Sequence, residues 1–373
     1  MSRVVAIILH AVPESSAGPL ERAFADDRRR NADRQARGFA TLGATVEIIE
    51  TQRRGPPFGE RLRGLTRDLG LARSGDAAGL VVMGSGSIPL ARRADRALFM
   101  AAAAGPMGSQ STGRSRGLLT NNVYSGDILA IPACTDLEGL PDLAADNGVP
   151  RWAADHGLEV HDLRDRWRLQ VDLDSPLDVV LATLNDGGRR DGDGDGRDTT
   201  DARSPGRHVR SVLERIRAVA EDPASEFLVA GRTSSTTLRW VERNTASRTR
   251  VLIEERGMKT APAAQRPSRS ALGLLLDADG PDALGAVVEQ LADAAVVDTR
   301  VLMAHHFGRA EAAWPAAEDR FASDLLLPDQ INDPWLRALT ASAAGSGVPI
   351  LLGGHTLVGP GLRLALRPGR TNP

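Results

Sequence analysis

The sequence is poor in several residue types that particular functions require. Of its 373 residues, one is a cysteine (Cys134) and one is a lysine (Lys259). A single cysteine excludes an internal disulfide and any metal site built from several cysteines. A single lysine leaves one candidate for a Schiff base or a phosphate-loop lysine. Aromatic residues are also few (five Trp, one Tyr and seven Phe), which argues against a stacking surface for single-stranded nucleic acid.

Charge and hydropathy argue against two further classes of protein. The chain has 46 basic and 48 acidic residues, so its net charge of -2 leaves no large basic face. Lys259 is the sole lysine, so the other 45 basic residues are arginines, and their number alone is weak evidence for anion binding. No apolar run approaches the ~18 residues of a membrane span, and the first ten residues resemble a strand without a cleavage site. We therefore expect no nucleic-acid partner, no membrane association and a cytoplasmic location.

Strand and helix patterns alternate along both halves of the chain, which predicts an α/β fold with two Rossmann-like layered domains and mostly parallel sheets. The first domain is expected over residues 1–184 and the second over 207–373. Between them, residues 185–206 are rich in Gly, Asp and Arg, a composition typical of a flexible linker.

The order of the predicted elements follows from apolar runs and helical periodicity. Apolar residues recur at helical spacing over 209–220, which predicts an amphipathic helix. Continuous apolar runs predict buried strands. We expect these strands at 3–9, 44–49, 79–83, 168–173, 227–230, 271–276, 295–303 and 348–352.

Ligands of open α/β sheets bind at the carboxyl ends of the strands, so four loops of the first domain are candidate sites. They lie at 84–90, 121–127, 172–178 and 10–17. The loop Gly84, Ser85, Gly86, Ser87 could bring backbone amides to a phosphate, or could be a tight turn that needs glycine. Asn121 and Asn122 could contact a nucleoside, or could form a β-turn.

The third loop carries two carboxylates in the segment LQVDLDSPLDVVLA. Asp172 and Asp174 could hold a metal ion, because Mg²⁺ prefers carboxylates together with substrate phosphates. Asp174 could equally cap the helix that follows, since Pro176 suits an early helical position.

Together these segments resemble the nucleotidyltransferase branch of the GT-A fold, as in molybdenum-cofactor guanylyltransferase and phospholactate guanylyltransferase. MGSGSIPLARRADRAL is similar to the strand, loop and helix of that family, LTNNVYSGDILAIP to its central strand, and LQVDLDSPLDVVLA to its closing strand. The resemblance covers roughly residues 1–184. It departs from the family at the first strand, which lacks a Gly-rich triphosphate loop, and at Ser85 and Ser87, which stand where an acidic ligand is expected.

The resemblance implies a nucleotidyltransferase that binds a nucleoside triphosphate with Mg²⁺ and transfers a nucleotidyl group to a phosphate or hydroxyl acceptor. It further implies catalytic roles for Asp127, Asp172 and Asp174, with the last two as metal ligands. It also implies that the amides of residues 84–87 position phosphate and that Asn121 and Asn122 contact the nucleoside or acceptor.

A loop of the second domain also has the composition of an anion site. It directly follows a predicted strand and begins a helix, where free amides, hydroxyl groups and an arginine favour phosphate. The alternative is a Ser/Thr helix cap, which needs no ligand. The residues concerned are Gly231, Arg232, Thr233, Ser234 and Ser235.

Two histidines and two carboxylates of the second domain form a further candidate group. His305 and His355 follow predicted strands, and Glu318 and Asp319 lie between them in sequence. Such a set could build a metal or acid–base site, although a lone histidine is more often a structural hydrogen-bonding group. Adjacent His305 and His306 are expected to point opposite ways on an extended backbone.

Three functions remain open on these residues. The first is nucleotidyl transfer, with a nucleotide and a phosphorylated or hydroxylated acceptor as ligands. The second is a non-catalytic or regulatory protein that binds a phosphorylated metabolite through residues 231–237, which the missing Gly-rich loop favours. The third is a hydrolase or lyase centred on His305 and His355. Assembly into a homo-oligomer is left open.

Overall fold

A computed structural model describes residues 3–52, 55–68, 79–105, 117–132, 135–185, 205–256 and 267–367. Over these ranges the chain has an α/β fold and divides into two compact units. Unit 1 comprises Met1–Ala17 and Arg22–Leu173, and unit 2 comprises Gly18–Glu21 and Asp174–Pro373. No helix within the same ranges combines the length and the hydropathy that crossing a bilayer requires.

Unit 1 is built around a six-stranded sheet with helices on its faces. In the sheet the strands lie in the order β2-β1-β3-β5-β4-β6, and β5 alone runs antiparallel to its neighbours. The strands are β1 (Val4–Val12), β2 (Thr45–Gln52), β3 (Gly79–Gly84), β4 (Gly117–Thr120), β5 (Ile128–Ile131) and β6 (Glu159–Asp162). The helices are α1 (Pro19–Ala40), α2 (Phe58–Asp68), α3 (Arg93–Ala104) and α4 (Val149–Asp155), with 3₁₀ turns at Asp146–Gly148 and Trp167–Gln170. The first three residues of α1 are assigned to unit 2 and the rest of the helix to unit 1.

The apolar run of β1 is explained by burial on both faces of this sheet. Successive side chains of a strand point to opposite faces. Val5, Ile7 and Leu9 therefore pack into one hydrophobic cluster. Ile8 and Val4 pack into a second cluster on the other face, which confirms the prediction of a strand with two buried sides.

Unit 2 is built around a four-stranded, fully parallel sheet in the order β10-β9-β7-β8. The strands are β7 (Glu226–Gly231), β8 (Arg248–Ile253), β9 (Ala294–Asp298) and β10 (Ile350–Gly353). The helices are α5 (Pro176–Asn185), α6 (Pro205–Glu221), α7 (Ser235–Asn244), α8 (Ala271–Asp279), α9 (Leu284–Leu291), α10 (Thr299–His306), α11 (Ala317–Asp324), α12 (Pro334–Gly345), α13 (His355–Val358) and α14 (Leu362–Leu366). Three 3₁₀ turns lie at Pro281–Ala283, Glu311–Ala313 and Pro328–Gln330.

The boundary between the units falls after Leu173, whereas the sequence predicted that the first domain ends at residue 184. Helix α5 therefore belongs to unit 2, where Leu177 packs against Gly353 and Asp178 lies in a buried charge network. Most of the predicted linker, residues 186–204, lies outside the described residues.

One predicted strand of unit 2 is wrong and another is too long, because capping groups begin helices there. Residues 271–276 form the start of α8, since the Ser270 hydroxyl accepts a hydrogen bond from the Gly273 amide at 3.2 Å. Residues 295–303 form a strand only as far as Asp298. The carboxylate of Asp298 accepts a hydrogen bond from the Arg300 amide at 3.1 Å and begins α10.

Three more differences concern short segments. The strand predicted at 168–173 is a 3₁₀ turn followed by a single bridge between Asp172 and Ser87. Strands β6 and β8, both at sheet edges, have no counterpart in the prediction. Their sequences, EVHD and RTRVLI, each contain two charged residues, so neither shows the continuous apolar run of a central strand.

The start of β3 packs so closely on α3 that it requires a glycine. A Cβ atom at Gly79 would lie 1.9 Å from the Ala103 carbonyl oxygen, which is backbone and cannot rotate away. We expect Gly79→Ala to lower the free energy of unfolding by about 2 kcal/mol or more, measured by urea titration. Gly64→Ala in α2 is the control, because a Cβ there meets open space and alanine favours a helix. Equal effects of the two changes would contradict the close approach.

Candidate functional site

The carboxyl edge of the unit 1 sheet brings the predicted loops together. Strands β1, β2 and β3 are parallel, so they end at the same edge. Because β5 is antiparallel to β3 and β4, it begins at that edge, with Ile128 opposite Met83 and Leu129 opposite Thr120. The loop after β3, the connection from β4 to β5 and the segment at Asp172 therefore meet there.

Hydrogen bonds within the protein hold the loop of residues 84–87. The Ser85 amide donates to the Leu9 carbonyl at 2.8 Å, and the Ser85 hydroxyl lies 3.2 Å from Nδ1 of His10. The Ser87 hydroxyl donates to the Asp127 carbonyl at 2.8 Å. The two serine hydroxyls are thus used in tying loops together, which supports the turn interpretation for these side chains.

Gly86 lies against the segment that carries Asp172. A Cβ at Gly86 would lie 2.7 Å from the Leu173 carbonyl oxygen and 3.1 Å from Oδ1 of Asp172. The Leu173 amide donates to the Gly86 carbonyl at 3.1 Å, and Gly84 ends β3 just before this contact. The glycine–serine loop and the Asp172 bend therefore face each other, as the nucleotidyl-transfer hypothesis requires.

Ile88, directly after this loop, has a backbone φ of 44° and is fully buried. A positive φ is a true outlier for a β-branched side chain. The Ile88 carbonyl is held by the side-chain amide of Gln35 at 3.1 Å. Such strained positions cluster at ligand sites and turns whose surroundings fix them.

The side-chain amides of Asn121 and Asn122 form hydrogen bonds within the protein. Nδ2 of Asn121 donates to the Asp127 carboxylate at 2.8 Å, and its Oδ1 accepts from the Asp127 amide at 2.9 Å. Oδ1 of Asn122 accepts from the Tyr124 amide at 3.0 Å, and its Nδ2 donates to Gln170 at 3.1 Å. These bonds are those of the β-turn alternative, and nucleoside contact by either residue stays a prediction.

A pocket of about 180 Å³ opens at this edge, and we call it the edge pocket. It has apolar walls, two arginines and two aspartates. Its lining residues are Leu9, Ala11, Arg28, Thr51, Phe58, Arg61, Val82, Met83, Gly84, Gly126, Asp127, Leu129 and Asp146.

Arg28 is a charged group of the edge pocket whose buried Nε has no hydrogen-bond acceptor among the described residues. Its Nε is buried, and the side chain has neither a hydrogen bond nor an ion pair among the residues that the structure describes. It lies beside Phe24, and its Nε would be 3.2 Å from a Cβ at Gly86. Burial and then the charges of Arg28 and Arg29 lower the pKa of His10, which is therefore neutral at pH 7.

Arg28 lies within helix α1 and not in a loop at a strand end, so the search of those loops did not predict it. The signal was present in helical spacing. Arg28 is four residues from Phe24 and four from Ala32, both buried, so it occupies an apolar-face position.

The predicted metal ligands divide between the two units. Asp172 belongs to unit 1, whereas Asp174 belongs to unit 2, where its carboxylate lies 3.4 Å from Nδ1 of His355. Across the described ranges, no group of three or more His, Cys, Asp or Glu side chains could hold a metal ion. Magnesium binding at Asp172 would therefore require phosphate oxygens from a ligand.

In unit 2, the arginine of the predicted anion loop is paired with a carboxylate of the protein. Arg232 forms two hydrogen bonds to the buried carboxylate of Asp298, at 2.6 and 3.1 Å. Gly231 permits this contact, since a Cβ there would lie 2.2 Å from Cβ of Asp298. Arg232 is thereby neutralised within the fold.

The rest of this loop fits the alternative interpretation, a helix cap. The Ser234 hydroxyl accepts from the Thr237 amide at 3.1 Å and begins α7, and Ser235 is its first, exposed residue. Thr233 is buried, and its hydroxyl has no hydrogen-bond partner in the described part of the chain.

A second buried ion pair lies beside the first at the carboxyl edge of the unit 2 sheet. Both guanidinium nitrogens NH1 and NH2 of Arg300 donate to Asp324. Burial disfavours charge on Arg300, but Asp324 outweighs it and raises the pKa of the guanidinium. Burial likewise opposes ionisation of Asp298, yet Arg232 and then Arg300 lower the pKa of this carboxyl. Burial also raises the pKa of Asp324, although Arg300 opposes that shift. Each of the two arginines is thus paired with a buried carboxylate inside unit 2.

Asp178, at the start of α5, lies beside the same network, and its surroundings disfavour a charge on its carboxyl. Its Oδ2 accepts from the Asp174 amide at 3.0 Å and the Ser175 hydroxyl at 3.1 Å. Its Oδ1 is buried with no hydrogen-bond partner in the described ranges. Burial raises the pKa of Asp178 well above its usual range, and the carboxylates of Asp174 and Asp324 add to the shift.

The four residues of the predicted acid–base site have separate partners. His305 is not at a strand end but in the last turn of α10, where it contacts Ser270 and Asp277, each about 3 Å away. On this helix His305 and His306 do not alternate as they would on a strand, so that expectation was wrong.

The carboxylates of that group serve local backbone. Glu318 accepts from the amides of Leu20 and Glu21 at 2.9 Å each, and Asp319 accepts from the Asp333 amide at 2.9 Å. His355 is paired with Asp174, so the contacts described here lead from the four side chains to different partners. The hydrolase or lyase hypothesis stays a prediction.

Comparison with protein-family models finds no match, and no curated protein matches the chain.

The raised pKa of Asp178 predicts a pH dependence of stability. Its native pKa is raised, so the stability it contributes is complete below the unfolded-state pKa and is lost as the pH rises towards the folded pKa. Asp178→Asn keeps the accepted hydrogen bonds and has no proton to lose. Between the two pKa values, its free energy of unfolding should gain on the wild type by about 1.4 kcal/mol per pH unit, measured by urea titration.

Asp178→Ala is the matched control, because it removes the two accepted hydrogen bonds and should destabilise the fold at every pH. Parallel stability curves for the wild type and Asp178→Asn would contradict a protonated native Asp178.

Proposed function

We propose that unit 1 binds a phosphate-bearing small molecule in the edge pocket, and that this ligand is a nucleoside triphosphate used with Mg²⁺ for nucleotidyl transfer. The observation that carries the proposal is Arg28, a half-buried cation with no partner in the described ranges, beside the glycine–serine loop. A buried donor without an acceptor is costly, and a phosphate oxygen would satisfy it.

The position of the pocket supports a nucleotide ligand. Small-molecule sites of open α/β sheets lie at the carboxyl ends of their strands, as the edge pocket does. Its volume of about 180 Å³ is below the roughly 300 Å³ at which drug-sized sites begin. The pocket therefore accommodates one part of a nucleotide, and the remainder extends from its opening.

Each polar group of the site has a role in this proposal. Arg28 and Arg61 would neutralise phosphate oxygens, and Asp127 and Asp146 would accept hydrogen bonds from the nucleoside or acceptor. Asp172 would share a magnesium ion with the phosphates, and that ion would stabilise the charge that develops on them during transfer. The protein contributes position and charge compensation rather than a covalent intermediate.

The competing function is a binding protein without catalysis. Two observations favour it. The side-chain amides of Asn121 and Asn122 already form hydrogen bonds within the protein. The carboxylate that lies beside Gly86 is that of Asp172. Its earlier form, an anion site at residues 231–237, is weakened by the Arg232–Asp298 pair. The two functions differ in whether Mg²⁺ strengthens nucleotide binding through Asp172.

Removing the charge of Arg28 tests the ligand class. GTP or CTP with Mg²⁺ should raise the melting temperature of the full chain, and Arg28→Gln should weaken nucleotide binding at least about tenfold. In nuclear magnetic resonance titrations, the bound nucleotide should raise the pKa of His10, because it offsets the charge of Arg28. Arg30→Gln is the control, since Arg30 is an exposed residue of α1 paired with Asp27. Equal nucleotide affinities of the two variants would refute the proposal.

Asp172→Asn separates transfer from binding alone. If Asp172 shares a magnesium ion with the nucleotide, the variant should bind nucleotide without Mg²⁺ as the wild type does, but should lose the gain in affinity that Mg²⁺ confers. Titration calorimetry with and without Mg²⁺ measures both. An unchanged gain would mean that the Asp172 carboxylate does not share the magnesium ion.

A further inference from the structure

A second unbalanced positive charge lies at the start of α3. Arg166 is paired with the carboxylate of Asp95 there, Arg92 donates its backbone amide to it, and Arg168 interacts with all three electrostatically. We call Arg92, Arg166 and Arg168 the arginine cluster. Asp95 is buried and accepts from the Arg92 amide at 2.9 Å and from NH1 of Arg166 at 2.8 Å. These two bonds fix Asp95 between the helix start and the segment that follows β6.

Arg168 is the member of the cluster that the fold leaves uncompensated. Its Nε is buried, and its side chain has no hydrogen bond or ion pair to any described residue. Burial and then the charge of Arg92 lower the pKa of Arg168, Asp95 opposes this, and Arg166 adds to it. The single carboxylate is thus already shared, and Arg168 faces two like charges.

The helix adds to this positive field. The first amides of an α-helix lack intrahelical partners, and its dipole places partial positive charge at that end. Helix α3 spans Arg93–Ala104, and its N-cap is Arg92 rather than a residue that could accept from those amides. An arginine at this position raises the local positive charge instead of compensating it.

We propose that the arginine cluster binds a doubly charged oxyanion, the phosphoryl group of a small molecule, at a site separate from the edge pocket. Three arginines against one aspartate leave an excess of two positive charges, which a phosphate dianion balances and a carboxylate does not. Guanidinium groups bind phosphate through paired hydrogen bonds. None of the residues that line the edge pocket belongs to the cluster.

The test uses the full chain at low ionic strength, with inorganic phosphate and pyrophosphate as probes and acetate as a singly charged comparison. Calorimetry should show binding of the two phosphate probes that exceeds acetate binding. Arg168→Gln and, separately, Arg92→Gln should each weaken phosphate binding at least about tenfold. The control is Arg67→Gln, because Arg67 is exposed on α2 and paired with Glu138. Phosphate affinities in both cluster variants equal to that of the control would overturn the proposal.

A second readout separates a ligand site from a structural role. Without phosphate, Arg168→Gln should keep or raise the melting temperature, since it removes repulsion among like charges; a marked fall would show that Arg168 stabilises the fold itself and would overturn the proposal. Arg28→Gln distinguishes the two sites, because it should weaken nucleotide binding in the edge pocket and leave phosphate binding at the cluster unchanged. Loss of phosphate binding in Arg28→Gln would assign the phosphate to the edge pocket instead.

Discussion

The hydrogen bonds between loops at the carboxyl edge of unit 1 are the constraint on which its candidate site depends. The Ser87 hydroxyl binds the Asp127 carbonyl, Asn121 binds the side chain and the amide of Asp127, and Gly86 meets Leu173 through the backbone. Buried polar groups are nearly always hydrogen-bonded, and here polar groups of three loops form hydrogen bonds with one another. The residues whose hydrogen bonds join the loops are therefore different from the residue proposed to bind a ligand. That residue, Arg28, lines the pocket that the loops enclose.

The structure contains arginines of two kinds, and charge balance separates them. Arg232 and Arg300 are mostly buried, but each is matched to an aspartate, so both pairs hold the edge of unit 2 without calling for an anion. Arg28 and Arg168 have buried Nε atoms without acceptors among the described residues. A buried charge that is paired is structural, whereas a buried charge without a partner is retained at a cost to the fold, and ligand binding is one reason to retain it.

Much of the fold followed from the sequence, because central strands and amphipathic helices have strong patterns. The run at β1 and the helical spacing of α6 are examples, and both lie in the cores of their units. Residues 271–276 misled the prediction because ALGLLL is apolar at every position but one, and capping by Ser270 and Glu254 decides for a helix. The meeting of the Gly86 and Asp172 bends could be predicted from topology. The pairing of Arg232 with Asp298 could not, since it joins residues of different strands and no sequence pattern records it.

The reversed direction of β5 shapes the unit 1 edge in a way that the other strands do not. Since β4 leaves the sheet where β5 enters it, one short connection crosses the rim of the pocket and returns without traversing either face of the sheet. The other linkages described between neighbouring parallel strands must run back across the sheet through a helix. Changes of length in that connection would alter the rim while leaving the packing beneath it untouched, so this is the place where related proteins could acquire a different ligand preference on the same scaffold.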